Sequence, residues 1–293
     1  MTVRLVTDST AYLPRELLSA HRIEVVPLHV VVGGKERVEG RDVTADEVAE
    51  ALRDYTIVTT SRPTPQAFLE AYGRLADEGA TSIVSVHLSS QMSGTVEAAR
   101  TAAADAPVPV QVIDSETIGM AMGFAVVAAA EAAAQGRSQA EVVAVVRERL
   151  RPSRVLFYVH TLEHLRRGGR IGAASALLGS AFAIKPILAV RGGRIVPVEK
   201  VRTSSRALAR ITTLVTEQVV AGGTAVEAAV HHLGALERAE SVAEMLRAVP
   251  GVERVLMVEL GAVVGAHVGP GTVAIALSPL PGRPLPESGA VAR

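Results

Sequence analysis

The chain has 293 residues; 30 Lys and Arg balance 30 Asp and Glu, and 48% of the residues are hydrophobic although only 3% are aromatic. Charge balance argues against nucleic acid or anionic lipid headgroups as the partner, since both demand a basic excess, and four Phe, four Tyr and no Trp leave little for base stacking. The absence of Cys excludes disulfides, thiolate metal sites, iron–sulfur clusters and a cysteine nucleophile; the length suits one large or two ordinary domains, and an aliphatic surplus stands out.

Residues 3–6 form a short β-branched run that ends in the polar cluster Thr7-Asp8-Ser9-Thr10, and Pro14 opens a helix behind it. Residues 23–32 read as extended, turning at Gly33-Gly34. Thr44 and Glu47 have the spacing of a capping box for a helix to about Asp54, and Thr64 followed by Pro65 starts another that stops near Gly79. Residues 82–86 are a strand of the buried type, after which Ser89-Ser90-Gln91-Met92-Ser93-Gly94 leads into a helix over residues 95–104. A strand at 108–113 ends at Asp114-Ser115, a long Ala-rich helix follows, and Ser138 with Glu141 caps the next. This alternation implies a parallel sheet covered on both faces. The longest uncharged run, residues 118–130, closes at Glu131, well short of the roughly 20 residues of a membrane span. Met1-Thr2-Val3-Arg4 runs straight into a strand pattern with no signal peptide, so a cytoplasmic protein is expected.

The second half differs. A strand at 155–159 and a short helix at 163–167 reach Gly168-Gly169-Arg170, and strands at 187–190 and 195–198 flank Arg191-Gly192-Gly193-Arg194, a hairpin signal. A helix at 204–220, a strand at 225–230, a helix at 235–248, a strand at 254–259 and a last strand near 272–277 follow. A hairpin inside such a pattern means a mixed sheet. The expected architecture is α/β: an N-terminal three-layer α/β/α domain with a mainly parallel sheet over residues 1–152, then a C-terminal two-layer α/β domain with a mixed sheet over 153–280. A Pro- and Gly-rich disordered tail is expected over 281–293.

Polar chemistry collects in a few places. Thr7-Asp8-Ser9-Thr10, Thr59-Thr60-Ser61, and Ser89-Ser90 with Ser93 and Thr95 read as strand-exit loops rich in hydroxyls, and strand ends along one sheet edge are where open α/β folds bind ligands. Hydroxyls beside free helix N–H groups suit a carboxylate or phosphate; the plain alternative is that they cap helices. Arg166-Arg167-Gly168-Gly169-Arg170 concentrates guanidinium groups beside two glycines, and reads equally as a solvated helix end. Gly265-Ala266-His267-Val268-Gly269-Pro270-Gly271 places a histidine in what reads as a loop of small residues. There is no Gly-x-Gly-x-x-Gly, no P-loop and no Gly-x-Ser-x-Gly elbow around Ser93, and His231-His232 would point to opposite faces of a strand, so no metal is expected.

Taken together, these segments resemble the DegV family of bacterial fatty acid-binding proteins. The resemblance rests on Val6-Thr7-Asp8-Ser9-Thr10 with Leu13-Pro14, on Thr59-Thr60-Ser61-Arg62-Pro63-Thr64-Pro65, and on Ser89-Ser90-Gln91-Met92-Ser93-Gly94-Thr95. It continues through Leu165-Arg166-Arg167-Gly168-Gly169-Arg170-Ile171, Ile184-Lys185-Pro186-Ile187-Leu188 and the closing Gly265 to Gly271 motif. The matches run in order over nearly the whole chain. They imply a two-domain protein holding one long-chain fatty acid in an apolar tunnel between its domains, with the carboxylate at Thr60, Ser93, Arg170 and His267, and with Ser61, Gly94, Thr95 and Gly169 supporting the site. They also imply a partner, a separate fatty acid kinase that phosphorylates the bound acid's carboxylate with ATP, so the chain itself needs no cofactor and is a carrier, not an enzyme. Arg62 stands where glutamine is usual and Gln91 where glycine is usual.

Uncharged residues 118–130 and 173–184 are candidate tunnel walls, with buried helices packing on a sheet as the plain alternative. Transient exchange with membranes is compatible with such a carrier; stable insertion is not expected. Two other readings of the same residues stay open. One is an acyl or phosphoester hydrolase or transferase with Ser93 as nucleophile and His267 as base, which needs those side chains in hydrogen-bond reach. The other is a small-anion or phosphosugar binder, which needs a compact polar pocket.

Overall fold

The computed structural model describes residues 2–177 and 184–285. The first half carries β1 (Val3–Asp8), α1 (Arg15–His21), β2 (Glu24–Val26), β3 (His29–Val32), β4 (Lys35–Val38), α2 (Ala45–Arg53), β5 (Val58–Ser61), α3 (Pro65–Asp77), β6 (Ser82–His87), α4 (Thr95–Ala104), β7 (Val110–Asp114), α5 (Met120–Ala134) and α6 (Gln139–Leu150). The second half carries β8 (Arg154–Tyr158), α7 (Glu163–Arg167), β9 (Lys185–Arg191), β10 (Arg194–Val201), α8 (Ser204–Gly222), β11 (Thr224–His232), α9 (Leu236–Arg247), β12 (Val252–Glu259), α10 (Ala262–Val268) and β13 (Val273–Pro284).

Local chemistry sets most of these boundaries. At α2 the Glu47 N–H donates to Thr44 Oγ1 at 3.2 Å while the Thr44 N–H donates to Glu47 Oε2 at 2.8 Å, the reciprocal pair the spacing predicts. Ser138 and Glu141 repeat it at α6. Thr64 caps α3, with Pro65 at its first position where a missing N–H costs nothing. The turn between β9 and β10 places Gly192 and Gly193 at φ +53° and +74°, a conformation that costs glycine little.

Strands β2-β1-β6-β7 form a four-stranded sheet, parallel throughout, and all six residues of β6 are buried. Strands β10-β9-β8-β13-β11-β12 form a six-stranded mixed sheet. A third sheet, β4-β3-β5, is antiparallel and was not expected from the sequence. It corrects the placement of Thr59-Thr60-Ser61: those residues lie within β5 of this small sheet, not at a strand exit of the parallel one. The short connection at Gly33-Gly34 makes β3 and β4 a hairpin, which forces antiparallel pairing.

The layers follow from which residues share a core. Helices α3 and α4 pack on one face of the parallel sheet through Phe68, Tyr72, Leu75 and Ala99 against Val6 and Ile83. Its other face, through Leu5, Val84 and Val86, meets α5 and α6, and those helices also receive Val155, Phe157, Leu188 and Val190 from the mixed sheet. Alternate residues Leu156 and Tyr158 point to the opposite face, under α8 and α9. Helix α5 is therefore packed between two sheets, with 11 of its 15 residues buried, which is why its sequence has no polar face.

Two further corrections belong here. Strand β13 runs to Pro284, paired with Thr224, so the expected tail begins inside a strand; residues 286–293 lie outside the described residues. Past Leu277, β13 pairs only with β11, so Pro279, Pro281 and Pro284 sit where one side has no ladder to interrupt. The second concerns His267, which lies in the last turn of α10 and not in a loop.

Candidate functional site

A cavity opens between the inner face of the mixed sheet and the first half of the chain. Val155, Phe157, Val190 and Ala274 form the sheet side, Leu28, Leu88 and Ile118 the opposite side, and Val263, Val264 and Val268 of α10 close it. The lining is mainly aliphatic, and Thr60, Ser61, Arg62, Ser93, Arg170 and His267 bring polar groups to it.

Those polar groups come from four separate segments. Thr60 on β5 and His267 on α10 meet directly, Oγ1 to Nε2 at 2.8 Å, across 207 residues of sequence. Ser93 precedes α4, a helix whose N-terminal Gly94 offers no side-chain cap, and its Oγ lies 2.8 Å from Thr95 Oγ1. Arg170 crosses from the second half to donate through Nε to the Met92 carbonyl at 3.0 Å and through a terminal nitrogen to the Gly168 carbonyl at 2.7 Å. Burial pushes the His267 pKa down to about 4, and the Arg170 charge adds to that shift. At neutral pH Thr60, Ser93, Arg170 and His267 thus offer two hydroxyls, a guanidinium and a neutral imidazole, with Ser61 and Arg62 beside them, a set suited to a carboxylate.

The DegV family, described as uncharacterised, has a family model that matches residues 2–280. The chain belongs to the DegV family. A DegV domain-containing protein of Streptomyces coelicolor is 50% identical over 277 residues, covering 94% of this chain and 98% of that one. A DegV family protein from Thermus thermophilus, described as binding fatty acid, superimposes with a TM-score of 0.90 at 34% identity and covers 96% of this chain and 100% of its own. DegV of Bacillus subtilis, described as a fatty acid binding protein, gives a TM-score of 0.87 at 34% identity with the same coverage.

In this DegV chain the four residues expected at the head group, Thr60, Ser93, Arg170 and His267, all line one cavity. The supporting residues divide. Ser61 lines the cavity while its hydroxyl donates to Glu36 at 3.3 Å, and Thr95 fixes the Ser93 hydroxyl. Gly94 keeps space for Arg62, whose guanidinium lies where a Cβ would stand. Gly169 does not line the cavity; its neighbour Gly168 is the one that matters, because a Cβ there would overlap His267 Nδ1. Arg166 and Arg167 are both held by Glu163, at 2.7 and 2.8 Å, leaving Arg170 as the member of that cluster that reaches the cavity. Gln91 accepts both Nε and a terminal nitrogen of Arg194, at 3.0 and 2.7 Å, so this departure from the family pattern ties the loop to the second half.

Other expectations fail. Of residues 118–130 only Ile118 and Gly119 reach the cavity, because α5 is wholly used in packing the two sheets together. No described member of 173–184 lines it, and residues 178–183 lie outside the described residues. The Thr7 to Thr10 loop also turns away: Thr7 donates to the Val86 carbonyl at 2.9 Å, and Asp8 accepts from Thr10 and from the Leu88 N–H at 2.9 Å. Asp8, His87 and Ser85 form a triad-like chain at 3.1 and 2.7 Å, continued to Tyr72 at 2.9 Å. Ser85 and His87 are fully buried and none of the four lines the cavity, so the chain braces β1, β6 and α3. The Ser93–His267 hydrogen bond that a hydrolase needs is not formed: Ser93 is bonded to Thr95 and His267 to Thr60.

Two lining residues escaped the sequence reading. His231 faces the cavity, its Nε2 accepting the Met120 N–H at 3.1 Å, and burial pushes its pKa down to about 4. Period-two alternation along β11, which puts Ala229 and His231 on one face, was the available signal. Tyr12 carried no such signal. Among the described residues no cluster of His, Asp and Glu could hold a metal ion, and no helix is long and apolar enough to cross a membrane.

Proposed function

We propose that this protein binds one long-chain fatty acid, the acyl chain in the aliphatic cavity and the carboxylate at Thr60, Ser93, Arg170 and His267. The observation that carries the reading is a mainly aliphatic cavity whose few polar groups include a charged guanidinium, a neutral imidazole and two hydroxyls from four different segments. Relatives of similar fold described as fatty acid binding support it. A compact phosphosugar would leave most of that wall uncovered, so the small-anion alternative is disfavoured.

The energetics are consistent with this division. Burying about 14 methylenes is worth roughly 11 kcal/mol at about 0.8 kcal/mol each. Association costs at least about 4 kcal/mol of that. Charge-assisted hydrogen bonds to the carboxylate contribute about 1.5–3 kcal/mol each before desolvation. The chain therefore supplies most of the affinity and the polar cluster sets the orientation.

The finer part of the proposal is that the bound carboxylate is presented to a separate fatty acid kinase, which transfers the terminal phosphoryl group of ATP to a carboxylate oxygen. Arg170 is exposed at the cavity rim and the head-group side chains are only half-buried, which leaves a carboxylate there within reach of a partner. Native mass spectrometry of gently purified protein should reveal one co-isolated fatty acid. Protein that arrives empty and also refuses palmitate and oleate would end the proposal. Thr60→Ala or Ser93→Ala should depress phosphorylation by a kinase more than it depresses acid binding; equal losses would contradict the split between head and tail.

A further inference from the structure

Helix α10 bears His267 in its last turn, yet it has seven residues and its N-terminal Gly261 has no side chain to cap it. A helix this short has little stability of its own, so outside contacts must set its position. Thr60 holds one end through His267. The other end is held by two residues from the first half of the chain. Glu39 Oε1 accepts the Val263 N–H at 2.8 Å, and Tyr12 Oη accepts the Val264 N–H at 3.2 Å while donating its own hydrogen to Glu39 Oε1 at 3.4 Å. Ser9 completes the arrangement by donating to Glu39 Oε2 and accepting the Leu28 N–H at 3.0 Å.

Several independent features show that the surroundings impose this arrangement. Glu39 is 7% exposed and, among the described residues, has no cationic partner; burial raises its pKa, while the Ser9 and Val263 donors oppose that rise. Gly261 has ordinary backbone angles, so space and not conformation requires glycine: a Cβ there would overlap both Glu39 Oε1 and the Tyr12 ring. Tyr12 takes φ +50°, the left-handed conformation that closes the short turn Ser9–Ala11, its N–H donating to the Ser9 carbonyl at 3.2 Å. Gly168 leaves the matching gap at the far end, beside His267 Nδ1.

We propose that Glu39 and Tyr12 are positioning residues for the head-group histidine: together they cap α10 across the two halves of the chain and so hold His267 where it meets Thr60 and a bound carboxylate. The ligand part of this proposal rests on the fatty-acid reading, while the placement of His267 can be read without ligand. The test compares Glu39→Ala, Glu39→Gln and Tyr12→Phe with the unaltered protein. It uses dissociation constants for palmitate and for hexadecanol, which has the same chain length without the carboxylate. The imidazole ¹⁵N resonances of His267 in ligand-free protein supply a second readout, with Thr60→Ala as the reference for a broken contact.

Glu39→Ala should weaken palmitate about tenfold more than hexadecanol, the size of one hydrogen bond to a charged group. Tyr12→Phe should show a smaller loss of the same kind. Glu39→Gln, which still accepts the Val263 N–H, should recover most of it. The His267 resonances should shift toward their Thr60→Ala positions. Equal losses for both ligands, or unmoved His267 resonances, in folded Glu39→Ala or Tyr12→Phe would overturn the proposal. If Glu39→Ala fails to fold, Tyr12→Phe gives the same decisive outcomes on a smaller scale. Should the unaltered protein bind neither ligand, the fatty-acid reading fails, and the His267 resonances alone decide the positioning role.

Discussion

His231 and His267 both face an aliphatic cavity, and burial holds each near a pKa of about 4, below the ordinary 6.5. A depressed histidine pKa means that the unfolded chain binds more protons between those two values, so stability falls as pH drops from about 6.5 to about 4 and levels off below. For His231, which is 2% exposed, the difference is worth about 3 kcal/mol. His231→Gln should therefore flatten the fall in urea midpoint between pH 7 and pH 4.5 relative to the unaltered protein; identical slopes would contradict the assignment. A second residue-scale expectation concerns Gly168. Gly168→Ala should displace the His267 ring and weaken palmitate about tenfold, with hexadecanol much less affected, as titration of both ligands would show. Of these residues His267 was legible in the sequence through its motif. The need for glycine at position 168 was not, because it depends on a side chain 99 residues away.

At the scale of elements, the helices with strong caps fall where local chemistry puts them: α2, α3 and α6 each begin at the Thr or Ser that the spacing identifies. Helix α10 escaped that reading because its N-terminus is capped by Glu39, 224 residues away, and no local signal marks it. Helix α5 shows a different limit. Its unbroken apolar stretch fits a tunnel wall and a doubly buried helix equally well, and packing between the two sheets decides for the latter. Phe124 lies 1% exposed in that shared core and does not line the cavity. Phe124→Ala should cost about 3–5 kcal/mol in chemical denaturation while leaving acid selectivity unchanged. A loss of preference for palmitate over hexadecanol like that expected of Gly168→Ala would mean that α5 contributes to the site after all.

Across the whole molecule, the two halves are joined by the shared α5–α6 layer and by polar contacts that frame the cavity. Ser89 donates to the Gly193 carbonyl at 2.9 Å, Arg194 grips Gln91, Arg170 reaches Met92, and Thr60 meets His267. A fatty acid held between the halves binds only the assembled form, so at a free concentration of about 100 times Kd it should add about 2.7 kcal/mol to stability. Urea midpoints measured with and without palmitate test this, and coincident curves would argue against a ligand that bridges the halves. The alternation of strand and helix, the hairpin at Gly192-Gly193, the capped helices and the family motifs were determined by the sequence alone, because each depends on residues a few positions apart. Tertiary structure decided which polar residues share a cavity, why Gly168 and Gly261 must be glycine, and that β5 belongs to a separate antiparallel sheet. Those outcomes depend on contacts between residues scores to hundreds of positions apart, and such contacts leave no periodic trace along the chain.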